Sequence, residues 1–161
     1  VEVSVNVVID SPKARVWQVI TDIDNAVNFI SAIIDLEVLE RPADGLVGLK
    51  WRETREIFGK EADETMWITD SEPEVYYQTR AENHGAVYIS RLSLREENDQ
   101  TTLTMSFSGE AETWFAKLMS LVMSAFMKNS MVKMLQQDLD DIKNYIENQS
   151  VKSLETTSSV F

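Results

Sequence analysis

Glu53, Arg55 and Glu64 are the residues whose types and spacing most readily do chemistry in this chain. From Val47 to Ile57, the parity that turns Val47, Leu49, Trp51 and Ile57 toward a core also turns Glu53 and Arg55 that way. The next stretch repeats the arrangement, because Ala62, Met66 and Ile68 carry Glu64 on their side. Charges on an apolar face need partners, so Arg55 is expected between Glu53 and Glu64 in a buried ionic cluster. Such a cluster has three uses: a solvated group near a rim, a structural ion pair, or an anchor for one polar end of an apolar ligand. An acid-base version would give Glu53 or Glu64 a raised pKa, with Arg55 or Tyr77 polarising a carbonyl. A neighbouring arginine lowers a carboxylate pKa, so Glu53, Glu64 and Arg55 remain weak candidates and no catalytic residue is assigned.

Other residues fit the lining of a ligand site. Trp51 shares the strand of Glu53, and Tyr77 and Tyr88 each bring a hydroxyl on the parities of Val75/Thr79 and Leu92/Leu94. Met105 and Phe107 alternate with Thr104 and Ser106 on a later strand. Met119, Met123, Met127 and Met131 recur every four residues, joined by Met66. Methionine adapts to varied shapes, which suits a deformable pocket, although a stripe at helical spacing also serves as ordinary core. The single histidine, His84, lies in an Asn83-His84-Gly85 turn, and no cysteine is present. These leave no ligand set for zinc and no Ser-His-Asp arrangement. Neither GxxxxGK[ST] nor GxGxxG occurs, so no metal and no cofactor are expected.

The elements that must position these residues read as one domain of 1–148 followed by a flexible polar tail of 149–161. A length of 161 residues suffices for a core without staples. The formal charge of −12, with Lys and Arg scattered singly, argues against nucleic acid and anionic membranes as partners. No secretory leader is visible, so the expected location is cytoplasmic. The apolar stretch Trp114 to Met127 is too short and too polar for a stable membrane insertion.

Val1 to Ile9 alternates as a strand. Ser11 is then expected to cap a helix whose first position is Pro12 and which carries Val16, Trp17, Val19 and Ile20, and a second short helix is expected over 26–32. Six strands follow, at about 34–39, 47–57, 61–69, 75–81, 86–95 and 101–108, separated by turn residues. The last element is the apolar segment Trp114 to Ile146. Its first band, Trp114 to Met127, lies half a turn from its second, Met131 to Ile146, which predicts a bend or break at Lys128, Asn129 and Ser130. The alternative is an unbroken helix whose first half packs on a partner, as in a homodimer or a protein-interaction module.

The order β-αα-ββββββ-α resembles the START-like, Bet v 1-like superfamily and its polyketide cyclase/dehydrase and lipid-transport group. The resemblance rests on Val7-Val8-Ile9-Asp10-Ser11-Pro12 with Val16 to Asp22, on Gly48-Leu49-Lys50-Trp51, on Ser71-Glu72-Pro73, and on the closing Leu139 to Glu147. It implies an α+β helix-grip fold, in which a curved seven-stranded antiparallel sheet wraps a long C-terminal helix and leaves an apolar cavity. It further implies a small hydrophobic ligand such as a lipid, quinone or polyketide-like molecule, or, in a minority of members, cyclisation or dehydration inside the cavity. Fold alone does not choose between these.

Overall fold

A computed structural model describes the backbone of residues 2–57, 59–83, 85–111 and 114–159, and the side chains of these residues apart from 111–127. The order is β1 (Glu2–Ile9), α1 (Lys13–Thr21), a 3-10 helix η1 (Ile23–Asn28), β2 (Ile33–Glu40), β3 (Lys50–Ile57), β4 (Lys60–Glu72), β5 (Tyr76–Asn83), β6 (Ala86–Glu97), β7 (Gln100–Ala111) and α2 (Trp114–Ser158).

All seven strands form one antiparallel sheet in the order β1-β7-β6-β5-β4-β3-β2. From β2 to β7, chain neighbours pair, as hairpin-length turns require. At the β6–β7 turn Asn98 and Asp99 both take positive φ, 54° and 61°, and Glu97 pairs with Gln100. Asn and Asp tolerate this left-handed backbone better than other side chains do. β1 and β2 are consecutive strands yet lie on opposite edges of the sheet, so α1 and η1 carry the chain across it.

The core sits between the sheet and the second half of α2. Leu135, Leu139, Ile142 and Ile146 are buried there, meeting Val3, Val5 and Ile9 of β1, Leu103 of β7 and Val16, Val19 and Ile20 of α1. Polar contacts fix the helix against the first strand. Lys143 Nζ donates to the Val8 carbonyl at 2.6 Å, and Glu147 Oε2 accepts from the Asp10 N–H at 2.9 Å.

Several expectations need correction. Ser11 does not cap α1; its carbonyl accepts from the buried Thr101 hydroxyl at 2.8 Å, and the Pro12 carbonyl takes the first amides of the helix. The second helix is a single 3-10 stretch that starts three residues earlier than expected. Strand β3 begins at Lys50 and Val47 is exposed, because Gly45 and Gly48 keep the preceding segment in a positive-φ loop. α2 runs through Lys128, Asn129 and Ser130 without a break. Lys128 and Asn129 are exposed, and neither glycine nor proline stands there to end a helix. Residues 149–158, within the stretch 149–161 expected as a flexible polar tail, continue α2 with their side chains mostly exposed.

Candidate functional site

Two hollows that share part of their lining lie between the sheet and α2. The larger has a volume of ≈ 310 Å³ and is bounded by β3 to β7 and by Met131, Met134, Leu135 and Asp138 of α2. The smaller, ≈ 100 Å³, lies beneath α1 and η1, where Ile20, Ile23, Phe29 and Ile30 meet Trp51 and Ile142. At that end Phe29 stacks on Tyr145 with centroids 4.4 Å apart.

The charged cluster belongs to both hollows, since Glu53, Arg55 and Asp138 line each of them. Register builds it. Glu53 on β3 faces Glu64 on β4, two positions along from Trp51 opposite Met66, so the inward parity of both strands puts the carboxylates side by side. Arg55 Nε donates to Glu53 Oε1 at 3.0 Å, and Arg55 Nη2 donates to Asp138 Oδ2 at 2.8 Å. The side chains of Arg55, Glu53 and Asp138 are only 15%, 8% and 5% exposed. Arg55 is thus embraced by Glu53 and Asp138, where Glu53 and Glu64 were expected.

The electrostatics follow from burial. Desolvation pulls the Arg55 pKa down, but the carboxylates of Asp138 and Glu53 more than reverse this and hold it above its ordinary value. Burial raises Asp138, with Arg55 opposing and Asp141 adding to the rise. Glu64 is also raised, first by burial and then by the nearby Glu53 charge, against the pull of Arg55. The expectation that arginine would dominate a glutamate here is therefore reversed at Glu64, because desolvation outweighs it.

The remaining predicted residues sort by strand. Met66 and Met105 border both hollows, Trp51 and Tyr77 the smaller, and Glu64, Tyr88 and Phe107 the larger. Tyr88 stacks on Phe107 at 5.7 Å, and Gly109 opposite leaves room for the ring, since a Cβ there would meet it at 3.2 Å. Tyr77, considered above for polarising a carbonyl, has its buried hydroxyl donating to the Ile20 carbonyl at 3.3 Å, and burial pushes its pKa up. Met119, Met123 and Met127 lie outside the residues whose side chains are described, as does the Trp114 to Met127 band, and His84 lies outside the described residues altogether.

Three polar residues were missed. Asp138 lies three residues after Leu135 and four before Ile142, on the buried face of α2, and a carboxylate at that spacing was the available signal. Thr79 and Ser90 are paired across β5 and β6, and their hydroxyls bond one another beside the cluster. Among the described residues no group of His, Cys, Asp and Glu is arranged to hold a metal.

Residues 1–147 match the sequence pattern of the family described as Polyketide cyclase / dehydrase and lipid transport. The chain belongs to that family. Solved structures agree on the fold at low identity. TTHA0849 from Thermus thermophilus is similar with a TM-score of 0.77 and 15% identity, covering 93% of this chain and 99% of its own. The Zhui aromatase/cyclase from Streptomyces sp. R1128 gives 0.71 and 16%, covering 93% and 95%. A START superfamily protein from Mycobacterium smegmatis gives 0.64 and 16%, covering 88% and 98%. No curated protein matches the sequence. The architecture is the helix-grip fold of the family, an open seven-stranded sheet with a long C-terminal helix. Among the described residues, no helix is long and apolar enough to cross a membrane.

Proposed function

We propose that the chain binds a small hydrophobic molecule in the hollow between sheet and α2, with the Arg55 cluster orienting its polar end. The observation that carries this reading is the ≈ 310 Å³ space bordered by Met66, Met105, Phe107 and Met131, with Glu53, Arg55 and Asp138 gathered on one wall. Pockets that hold apolar cargo use a few polar groups in this way. The family description, which includes lipid transport, supports it. The test is fluorescence titration with N-phenyl-1-naphthylamine, a neutral probe that brightens in apolar surroundings. Saturable binding is expected, lost in Ala81→Phe, which fills the larger hollow from β5. Absence of saturable binding, or an unchanged affinity in a folded Ala81→Phe, would count against the proposal.

A second reading, a cyclase/dehydrase-type enzyme, is favoured by one observation: Glu64 is raised by burial and borders the larger hollow. A carboxylic acid whose proton is held more tightly than in water is the kind of group that serves as a general acid. The Zhui aromatase/cyclase has this fold. If turnover of a polyketide-like substrate is found, Glu64→Gln should abolish it; turnover that survives removes Glu64 as the acid or base.

A further inference from the structure

Resting on the ligand-binding reading above, we propose that the Thr79–Ser90 hydroxyl pair is a hydrogen-bond donor site for a ligand carbonyl of the ketone or quinone class. Thr79 on β5 stands directly opposite Ser90 on β6, and the row that crosses the inner side of the sheet there runs Ile68, Thr79, Ser90, Phe107, Val3. The two hydroxyls are the polar members of an otherwise apolar row. Thr79 is 5% exposed, Ser90 is half-buried, and each lines both hollows. Thr79 shares its parity with Tyr77 and Ala81, and Ser90 with Tyr88 and Leu92, all of which also border a hollow. What Ser90 leaves uncovered therefore lies on the inner side of the sheet.

Counting hydrogens gives the chemistry. Each hydroxyl carries one hydrogen and two lone pairs. The pair makes one hydrogen bond, in which either oxygen can be the donor, and that bond uses one of its two hydrogens. Neither hydroxyl has another partner among the described residues. One O–H is left to give, beside a space that Met66, Met105 and Phe107 also border. A donor left unpaired among apolar side chains is costly, and valine with alanine at these two positions would complete the apolar row without it. A carbonyl oxygen matches the spare hydrogen, because it accepts without bringing a hydrogen that needs an acceptor of its own. A hydrocarbon of the same shape leaves the donor unpaired.

The test is displacement of N-phenyl-1-naphthylamine by 1-tetralone and by tetralin, which has the same two rings with CH2 in place of C=O. It is run on the unaltered protein, Thr79→Val, Ser90→Ala and the double variant. A lone hydroxyl keeps its hydrogen for the ligand, so each single variant should hold the ketone-to-hydrocarbon affinity ratio within about twofold. Thr79→Val/Ser90→Ala has no hydrogen to give, and the ratio should fall by about tenfold. Its melting temperature should be held, because both partners of the bond are replaced by apolar groups of similar shape. An unchanged ratio in the double variant, or a fall of about tenfold in either single one, overturns the proposal and leaves the cavity reading standing. So does saturable dye binding that neither compound displaces. Failure of the dye and both compounds to bind overturns both readings. Should the double variant not fold, the infrared carbonyl stretch of 1-tetralone bound to the unaltered protein decides. It is expected below its position in hexane, as a carbonyl that accepts a hydrogen bond, and a band at the hexane position overturns the proposal.

Discussion

Nη2 of Arg55, on β3, lies 2.8 Å from Oδ2 of Asp138 on α2, so a charged contact ties the sheet to the helix it wraps. The same guanidinium holds Glu53 at 3.0 Å, and the three residues form part of the wall shared by both hollows. The contact that joins sheet to helix is also a polar feature a ligand would meet.

Removing the cation should be costly. In Arg55→Met, Glu53 and Asp138 stay buried without their partner, and breaking a buried pair in this way destabilises by about 3 kcal/mol. Urea unfolding of Arg55→Met alongside Arg55→Met/Asp138→Leu checks the assignment. The double variant should recover part of the loss, because one of the stranded carboxylates has gone with the arginine.

Glu64 should respond to pH in the opposite sense from most surface carboxylates. Its pKa is raised in the folded chain, first by burial and then by Glu53, so the folded state binds a proton that the unfolded state has released. Its favourable contribution is present below the ordinary glutamate value and is lost as pH rises through the raised one. Glu64→Gln should therefore stabilise the protein at neutral pH. That gain should shrink as the pH falls toward 4.5, the ordinary glutamate value, as read by melting temperature against pH.

Glu147 carries the other sign. Burial pushes its pKa up, but the Asp10 N–H and Lys143 outweigh this and hold it below its ordinary value. The stabilisation is present above about 4.5 and is lost as pH falls from there through the lowered value. Glu147→Gln should lower the melting temperature at neutral pH, and the difference from the unaltered protein should close under acid.

Much of this fold was legible because two-residue alternation survives in the strands. Leu49, Trp51, Glu53 and Arg55 share the inward parity the sequence predicts, and Asn98-Asp99 is a tight turn by residue type alone. The opposition of Glu53 and Glu64 could be read because both belong to one hairpin, whose register is local. Asp138 could not be paired with Arg55 in advance, since 83 positions separate them and only the wrapping of the sheet brings helix and strand together. The spacing of Asp138 from Leu135 and Ile142 fits the inward face of the helix but names no partner. The expected break at Lys128 to Ser130 failed for a different reason. A shift of the apolar band shows where a helix changes neighbours, whereas ending it takes a residue that refuses helical backbone, and none stands there.

The account depends on space between α2 and the sheet that the protein's own side chains leave unfilled. Diffraction from crystals pressurised with xenon measures this directly, because the gas enters apolar hollows and scatters strongly. At least one xenon site is predicted between β4 to β7 and α2, bordered by Met66, Met105 and Phe107. An interior that takes up no xenon, with those side chains closed against Leu135 and Met131, would contradict the account.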